Sequence, residues 1–473
     1  MSQPTVNSDA TNQPDVPVEE VDLLVVGGGK AGKSLAMLRA KAGDKVVMVE
    51  RDKVGGTCIN VACIPTKTLI SAARVLREVQ GSQAYGVTLP EQDGGADALA
   101  QARIELASFR ARKEAVVGGM VAAHEKMFPA SGMDFVKGTA RFVGERTVEI
   151  ALNDGGLRRV RGAKVLINTG TTPSVPPIEG LSDVRYWTSE DLLTLPELPS
   201  SLIVLGGGVI GVEMASLMGL LGVPVTIVHA GPHILDREDE DVAAEVTAGL
   251  EALGVTVLTG ARASKVAAAA DGNGVVVTTA DGHEVSGSHL LVALGRTPVT
   301  AGLGLETAGV ELTERGFVRV DDHLRTTAEN VYAAGDVAGT PQFTHASWND
   351  FRVLRDLFAG KEASTTGRLI PWAVFTTPEL GHVGMSEAEA REAGYEVRVA
   401  KTLGHTEGFF KVIIDARTDL ILGAAIIGAE ASEVVTSIQM AMLGDLTWQQ
   451  VRDAVITHPT MSEGLNIVLD SLG

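Results

Sequence analysis

The chain has 473 residues, with 40 Lys+Arg against 59 Asp+Glu and a net charge of −19. That balance argues against nucleic acid or an anionic membrane as main partner, because both select a basic surface. With 45% hydrophobic and 21% charged residues, the composition is that of a globular protein of about three domains, not a disordered or fibrous chain.

Residues Met1–Glu20 are polar and acidic. They lack the basic start and apolar stretch of a signal peptide and read as a disordered tail on a cytoplasmic protein. From Val21 to Glu50 a short apolar run meets Gly27-x-Gly29-x-x-Gly32, then an Ala/Leu/Met-rich helix pattern, then a second Val-rich run. This is a βαβ unit whose glycines bring backbone N–H groups and a helix N-terminus against a pyrophosphate. Glu50 ends the second run, where a carboxylate can bond a ribose diol; read alone, it is an exposed acid at a strand end.

Both cysteines of the chain follow at once, in Gly55-Gly56-Thr57-Cys58-Ile59-Asn60-Val61-Ala62-Cys63-Ile64-Pro65-Thr66-Lys67. Two cysteines cannot build a disulfide framework. Five apart, they point to different faces of an ideal helix. They can bridge if Cys58 precedes the helix and Cys63 lies in its first turn, where a thiolate is stabilised. The competing readings are two unrelated buried thiols and a zinc site, which lacks a second ligand pair at structural spacing.

Asp97–Phe128 is expected to be one long packing helix with Asp97 as N-cap. Strands are expected to end at Leu166-Ile167-Asn168-Thr169-Gly170 and at Leu291-Val292-Ala293-Leu294-Gly295-Arg296. Between them, Ser201–Ala230 repeats the first βαβ design with Gly206, Gly208 and Gly211, but His229 stands in the slot that Glu50 fills in the first copy. Leu202–Val228 has Glu213 as its only charge. Gly206, Gly207 and Gly208 interrupt it, so two buried strands flanking a short helix are expected instead of a membrane span. Beyond Pro371 the pattern changes to strands at Lys411–Ile414 and Leu420–Ile427 and then an amphipathic helix, which suggests a separate C-terminal domain. Two dinucleotide loops in one chain imply a doubly wound α/β oxidoreductase with two cofactors, a flavin and a nicotinamide.

The cysteine segment, Asn168-Thr169-Gly170, Gly335-Asp336 within VYAAGDV and His458-Pro459-Thr460-Met461-Ser462-Glu463 occur in this order. Together they resemble the flavoprotein disulfide reductases, such as dihydrolipoamide dehydrogenase, glutathione reductase and mercuric reductase, over nearly all of the chain beyond residue 20. The resemblance implies two Rossmann-like domains and a C-terminal α+β dimerisation domain. The expected bounds are 21–170 with 295–350 for FAD, 171–294 for NAD(P) and 365–473 for the interface. FAD would meet Gly27, Gly29, Gly32, Glu50, Gly56, Thr57, Thr169, Gly170 and Asp336, the last through its ribityl chain. NAD(P) would meet Gly206, Gly208, Gly211, His229 and Gly295. Cys58 would be the interchange thiol and Cys63 the flavin-side thiol of a redox disulfide. Lys67 and Glu213 would pair near the flavin and nicotinamide rings. His458, oriented by Glu463, would act as acid–base in the partner's site of a homodimer; taken alone it is equally a helix-capping or core histidine.

The chain has no further cysteine, which disfavours mercuric reductases and large thioredoxin reductases, since both use a C-terminal pair. Dihydrolipoamide dehydrogenase remains an alternative. Gly29-Lys30-Ala31-Gly32-Lys33, Pro341-Gln342-Phe343-Thr344-His345 and the His458 segment look more like the reactive-chlorine-resistance group. That likeness implies a small oxidised acceptor: hypothiocyanous acid, Cu(II) or a small disulfide. A quinone-reducing flavoprotein with idle cysteines and a non-catalytic FAD and NAD(P) binder are further readings. No resident metal is expected. Two departures from the family pattern stand out. Ala62 replaces a common glycine, and Lys401–Gly408 is short enough to put the local strand pairing in doubt. With His229 in the acidic slot and Arg237 near it, NADPH is expected to serve at least as well as NADH.

Overall fold

The computed structural model describes residues 16–90, 95–270, 272–403 and 408–472. The chain divides into two compact units, one of residues 1–56, 123–170 and 298–365, the other of 57–122, 171–297 and 366–473.

The first unit is built on the strand Val18–Val26, which pairs in parallel with Val46–Glu50 on one side and Leu157–Ile167 on the other. Val331–Ala333 extends the parallel set beyond Leu157–Ile167. Leu23 to Val26 and Val46 to Val49 are all buried, as expected of continuous apolar runs in a parallel sheet covered on both faces. Strand Asp134–Gly144 joins the Val46–Glu50 edge in parallel and turns back through Thr147–Leu152. Its alternating burial shows one face in the core and one in water. Residues 18–20 belong to the first strand, which corrects the expected tail at that end: Val18 to Glu20 pair with Arg159 to Arg161. The rest of that tail up to residue 15 lies outside the described residues.

In the second unit, His289–Val292, Leu202–Leu205, Val225–Val228 and Val255–Leu258 form a parallel sheet in that order. The helix Val209–Leu220 connects its middle strands and is buried from Gly211 to Leu220. The expected strand–helix–strand reading of Leu202–Val228 therefore holds. Among the described residues the stretch with the length and hydropathy to cross a membrane is instead Thr57–Tyr85. It is interrupted after Val61, and Leu69, Ile70 and Ala73 pack in the unit's core with Val212, Leu217 and Leu380. The C-terminal part is an antiparallel sheet in the order Trp372–Val374, Glu379–Gly384, Ile421–Gly428, Phe409–Asp415, Val397–Leu403. The helix Ala431–Leu443 buries Val434, Val435 and Ile438 with Val412 and Ile426.

The long helix expected over Asp97–Phe128 is two helices, Gly95–Ala100 and Leu106–Ala130. Asp97 sits inside the first, not at its cap. Glu105 opens the second helix by accepting the N–H of Ala107 at 3.0 Å and of Ser108 at 2.7 Å, two local side-chain bonds of N-cap type. The short Lys401–Gly408 segment leaves pairing intact: Val397 opposes Asp415 and Leu403 opposes Phe409 without a slip. Residues 404–407 of it lie outside the described residues.

Candidate functional site

The first glycine loop joins Val26 to the helix Lys30–Lys41, with Gly29 as extended N-cap. Gly27 has φ +101°, and a Cβ there would run into the carbonyl of Asn168. Asn168 closes the loop. Its Oδ1 accepts the N–H of Gly32 at 2.9 Å and its Nδ2 donates to the Ala334 carbonyl at 2.6 Å. Gly56, at φ +84°, lies so close that a Cβ would be 2.9 Å from the Gly29 Cα. Lys33, 3% exposed, donates to the Gly55 carbonyl at 2.8 Å. The loop is thus held open by backbone packed on backbone, which only glycine permits.

Glu50 accepts the N–H of Gly28 at 2.8 Å and that of Asp52 at 2.9 Å. It lines an open cleft of about 160 Å³ with Gly27, Thr139, Thr169 and Leu303. Thr169 Oγ1 donates to the Val299 carbonyl at 2.7 Å, and Gly170 accepts from the Val299 N–H at 3.0 Å. Asp336 opens a short 3-10 turn and is half-buried. The turn is anchored by fully buried Asp350, which accepts from the Gly335 N–H at 2.7 Å and from Thr340 Oγ1 at 2.8 Å. A glycine cradle with first-turn N–H groups, an acid at the strand end and a groove along both fit an ADP-containing cofactor. Sequence reasoning named Asn168 only as part of the Asn168-Thr169-Gly170 motif, without a role, and did not single out Asp350. The one available signal was a polar residue ending a buried apolar run.

In the second unit, Thr57 and Cys58 lie on a short helix, Thr57–Val61, and Cys63 is the first residue of the helix Cys63–Gly81. The break falls at Ala62, where the backbone takes φ −142° and ψ −110° between the two helices. Both cysteines are half-buried. One turn beyond Cys63, on the same face of the helix, Lys67 Nζ meets both oxygens of Glu213 at 2.8 and 2.7 Å. Glu213 is 4% exposed and takes a third bond from the Phe375 N–H at 3.1 Å. The Lys67 ammonium also lies 4.6 Å from the Phe375 ring centroid. A buried carboxylate with this many partners is the satisfied kind.

The second glycine loop repeats the first: Gly206 has φ +107°, Gly208 is the extended N-cap, and Gly211 packs on the Gly206 carbonyl. Gly295, at φ +110°, accepts from the Ser174 N–H at 2.9 Å. His229 is 8% exposed and bonded on both ring nitrogens, to Gly207 and to Asp236. Near the C-terminus, Glu463 holds His458 Nδ1 at 2.8 and 3.1 Å, while 76% of the His458 side chain stays exposed. That arrangement fixes the ring and turns Nε2 outward as a proton donor or acceptor. Among the described residues no group of three His, Cys, Asp or Glu is arranged to hold a metal ion.

Residues 21–350 match the family model described as pyridine nucleotide-disulphide oxidoreductase, and residues 370–468 match that family's dimerisation domain. The probable pyridine nucleotide-disulfide oxidoreductase RclA of Escherichia coli is 35% identical over 94% of this chain and 97% of its own. A dihydrolipoyl dehydrogenase of Haloferax volcanii is 36% identical over 94% of both chains. The solved structure described as the Cu(II) complex of HOCl-induced flavoprotein disulfide reductase RclA from Escherichia coli superposes with a TM-score of 0.86. It is 34% identical and covers 96% of this chain and 100% of that one.

Proposed function

The chain belongs to the pyridine nucleotide-disulphide oxidoreductases, enzymes that use FAD and NAD(P)H, and from that premise we propose that it reduces a small oxidised acceptor through Cys58 and Cys63. The observation carrying this reading is the helix break at Ala62, which separates the chain's only two cysteines one turn ahead of Lys67, itself paired to the buried Glu213 carboxylate. FAD, when bound, supplies the conversion of a nicotinamide hydride into an electron pair for a disulfide.

The chain's own residues do the rest. Glu50, Asp336 and the first glycine loop bind the flavin nucleotide. Gly206, Gly208, Gly211 and Gly295 receive the nicotinamide nucleotide. Once Cys58 and Cys63 are reduced, the Cys58 thiolate attacks the electrophilic atom of the acceptor. For an oxidant of the form X–OH, a Cys58 S–X bond forms, the X–O bond breaks, and His458 gives the leaving oxygen its proton to make water. The Cys63 thiolate then attacks the Cys58 sulfur, expels X as an anion and closes the disulfide. Two electrons enter per turnover and two leave.

No thiol outside this couple exists to hand a soft metal inward. A small electrophile needs only access to Cys58, which is why we favour hypothiocyanous acid, a small disulfide or Cu(II), of which two ions would each take one electron as the couple closes, over Hg(II). Dihydrolipoamide oxidation is the second reading, favoured by the likeness to dihydrolipoyl dehydrogenase. A couple that NAD(P)H must re-reduce belongs in a reducing compartment, and we assign the enzyme to the cytoplasm. A homodimer is supported by the exposed apolar side chains of the C-terminal part, Met440, Leu443, Val455 and Ile467.

The test is Cys58→Ser in the FAD-loaded enzyme. The variant should keep its flavin and lose about 10³-fold or more in acceptor turnover, measured with NAD(P)H against hypothiocyanous acid, Cu(II), glutathione disulfide and lipoamide. Turnover within a few-fold of the parent would assign the chemistry to the flavin and sink the reading. Strong NAD-linked dihydrolipoamide oxidation without activity on the small oxidants would decide for the second.

A further inference from the structure

In a βαβ dinucleotide unit the adenosine ribose comes to the end of the second strand, where an acid bonds its hydroxyls and rejects a 2′-phosphate. The second unit has His229 there, and the sequence alone therefore suggests tolerance of NADPH. The partners of His229 argue the other way.

The Gly207 N–H donates to His229 Nδ1 at 3.1 Å, and Nε2 lies 2.8 Å from Asp236 Oδ1. A backbone N–H can only donate, so Nδ1 carries no proton, and Nε2 must carry one to meet a carboxylate. The ring is then the neutral tautomer, and the couple holds the single negative charge of Asp236. Both nitrogens of His229 are occupied within the protein, and the ring is 8% exposed. Asp236 is the opposite case, with 58% of its side chain exposed.

The segment that carries Asp236 is built onto the nucleotide loop. The Leu235 N–H donates to the Gly207 carbonyl at 2.8 Å, and Leu235 takes φ +53° to do so. Ile234 beneath it is fully buried. A Cβ at Gly231 would run into Asp236 Oδ1 and lie 2.7 Å from His229 Nε2, so the bare Gly231 makes room for the couple. The Gly260 N–H ties Gly231 down at 2.7 Å.

We propose that Asp236, positioned through His229, is the nucleotide-selecting carboxylate of this enzyme and makes it prefer NADH over NADPH. The inference rests on the reading that the Gly206–Gly211 loop receives the nicotinamide nucleotide. Asp236 accepts from a ribose hydroxyl of NADH, and its charge repels the phosphate that replaces that hydroxyl in NADPH. Arg237 is exposed next to it and is the residue that would attract the phosphate if the assignment were wrong.

The test uses the FAD-loaded enzyme and needs no acceptor: the apparent second-order rate constant for anaerobic flavin bleaching, with NADH and with NADPH. The parent should favour NADH by about tenfold or more. Asp236→Asn keeps an oxygen that can accept from Nε2 and removes the charge. It should lower the NADH constant and raise the NADPH constant, whereas a merely structural role would lower both. Asp236→Ser, which removes charge and His229 contact together, should shift the ratio in the same direction, and Arg237→Ala should leave the preference for NADH in place. A parent that favours NADPH, or an Asp236→Asn ratio equal to the parent's, overturns the proposal while leaving the site reading standing. Bleaching by neither nucleotide overturns both.

Discussion

At the scale of single residues, the couple His458–Glu463 differs from Lys67–Glu213 in leaving its titratable ring open to solvent. In Lys67–Glu213 the carboxylate is buried, with Glu213 4% exposed and 32% of the Lys67 side chain bare, whereas 76% of the His458 side chain is exposed. An imidazole that must gain and lose a proton benefits from a carboxylate on Nδ1, which steadies the charged ring and fixes which nitrogen faces outward. Glu463→Gln preserves the size and an accepting oxygen but removes the charge. We expect kcat for acceptor reduction to fall about 10²-fold with flavin bleaching by NAD(P)H unchanged, as read by steady-state assay beside anaerobic titration. Equal losses in both would make Glu463 a folding residue instead. The candidate residues for the chemistry are ones the sequence names by type: two lone cysteines, a histidine and an acid five positions on, and two glycine triads. Asp236 was not, because its role depends on a loop that returns seven residues later to the imidazole. Asp350 and the bonding role of Asn168 were hidden for a similar reason: their partners lie on other turns and strands.

At the scale of elements, apolar runs gave reliable strands because a sheet covered on both faces leaves no room for polar residues. The same logic failed at Asp97–Phe128, where composition is helical on both sides of a break after Ala100, beyond which Glu105 caps the second helix with two local bonds. It also said nothing of the clamp that ties the loop before the helix Glu240–Ala252 to the C-terminal sheet. Lys411, 3% exposed, reaches Asp239 at 2.9 Å, Asp241 at 3.0 Å and Glu387 at 3.0 Å. Burial pulls its pKa down, but bonds to Asp239, Glu387 and Asp241 overcome that and push it up to about 12. Burial likewise pulls the three carboxyls up, and bonds from Lys411 to Asp239, from Lys401 and Lys411 to Asp241, and from Arg391 and Lys411 to Glu387 hold them below the ordinary range. Acids with depressed values add stability above their unfolded pKa and lose it as pH falls through the folded value. The raised lysine adds stability below its unfolded pKa and loses it as pH rises through about 12. The clamp is therefore at full strength across neutral pH and weakens below about pH 4. Lys411→Met leaves three carboxylates facing one another and should cost about 3 kcal/mol at pH 7, seen as a lower urea midpoint. That deficit should shrink on the way to pH 3. A deficit independent of pH would mean that Lys411 acts through packing alone.

At the scale of the whole molecule, the domains matched in sequence end with one for dimerisation, residues 370–468, which contains both His458 and the exposed apolar side chains Met440, Leu443, Val455 and Ile467. An exposed acid–base residue and an exposed apolar surface in one domain make sense together if a second copy covers that surface and receives the histidine. In a twofold dimer each active site would then take Cys58 from one subunit and His458 from the other. This arrangement can be tested without a structure of the dimer. Cys58→Ser and His458→Ala homodimers should each be nearly inactive toward the acceptor while retaining flavin. When the two chains are co-expressed with different tags and the mixed dimer is isolated, one of its sites lacks both groups. The other has an intact Cys58 and an intact His458. The mixed dimer should therefore recover about half of the parent's activity, and an unsorted equal mixture about a quarter. If each chain instead completed its own site, every subunit in the mixture would carry one defect and no activity would return. Recovery in the isolated mixed dimer, followed by its loss when Leu443→Asp drives the subunits apart in sedimentation, would tie the chemistry to the interface. Full activity in a monomer would remove His458 from the partner's site.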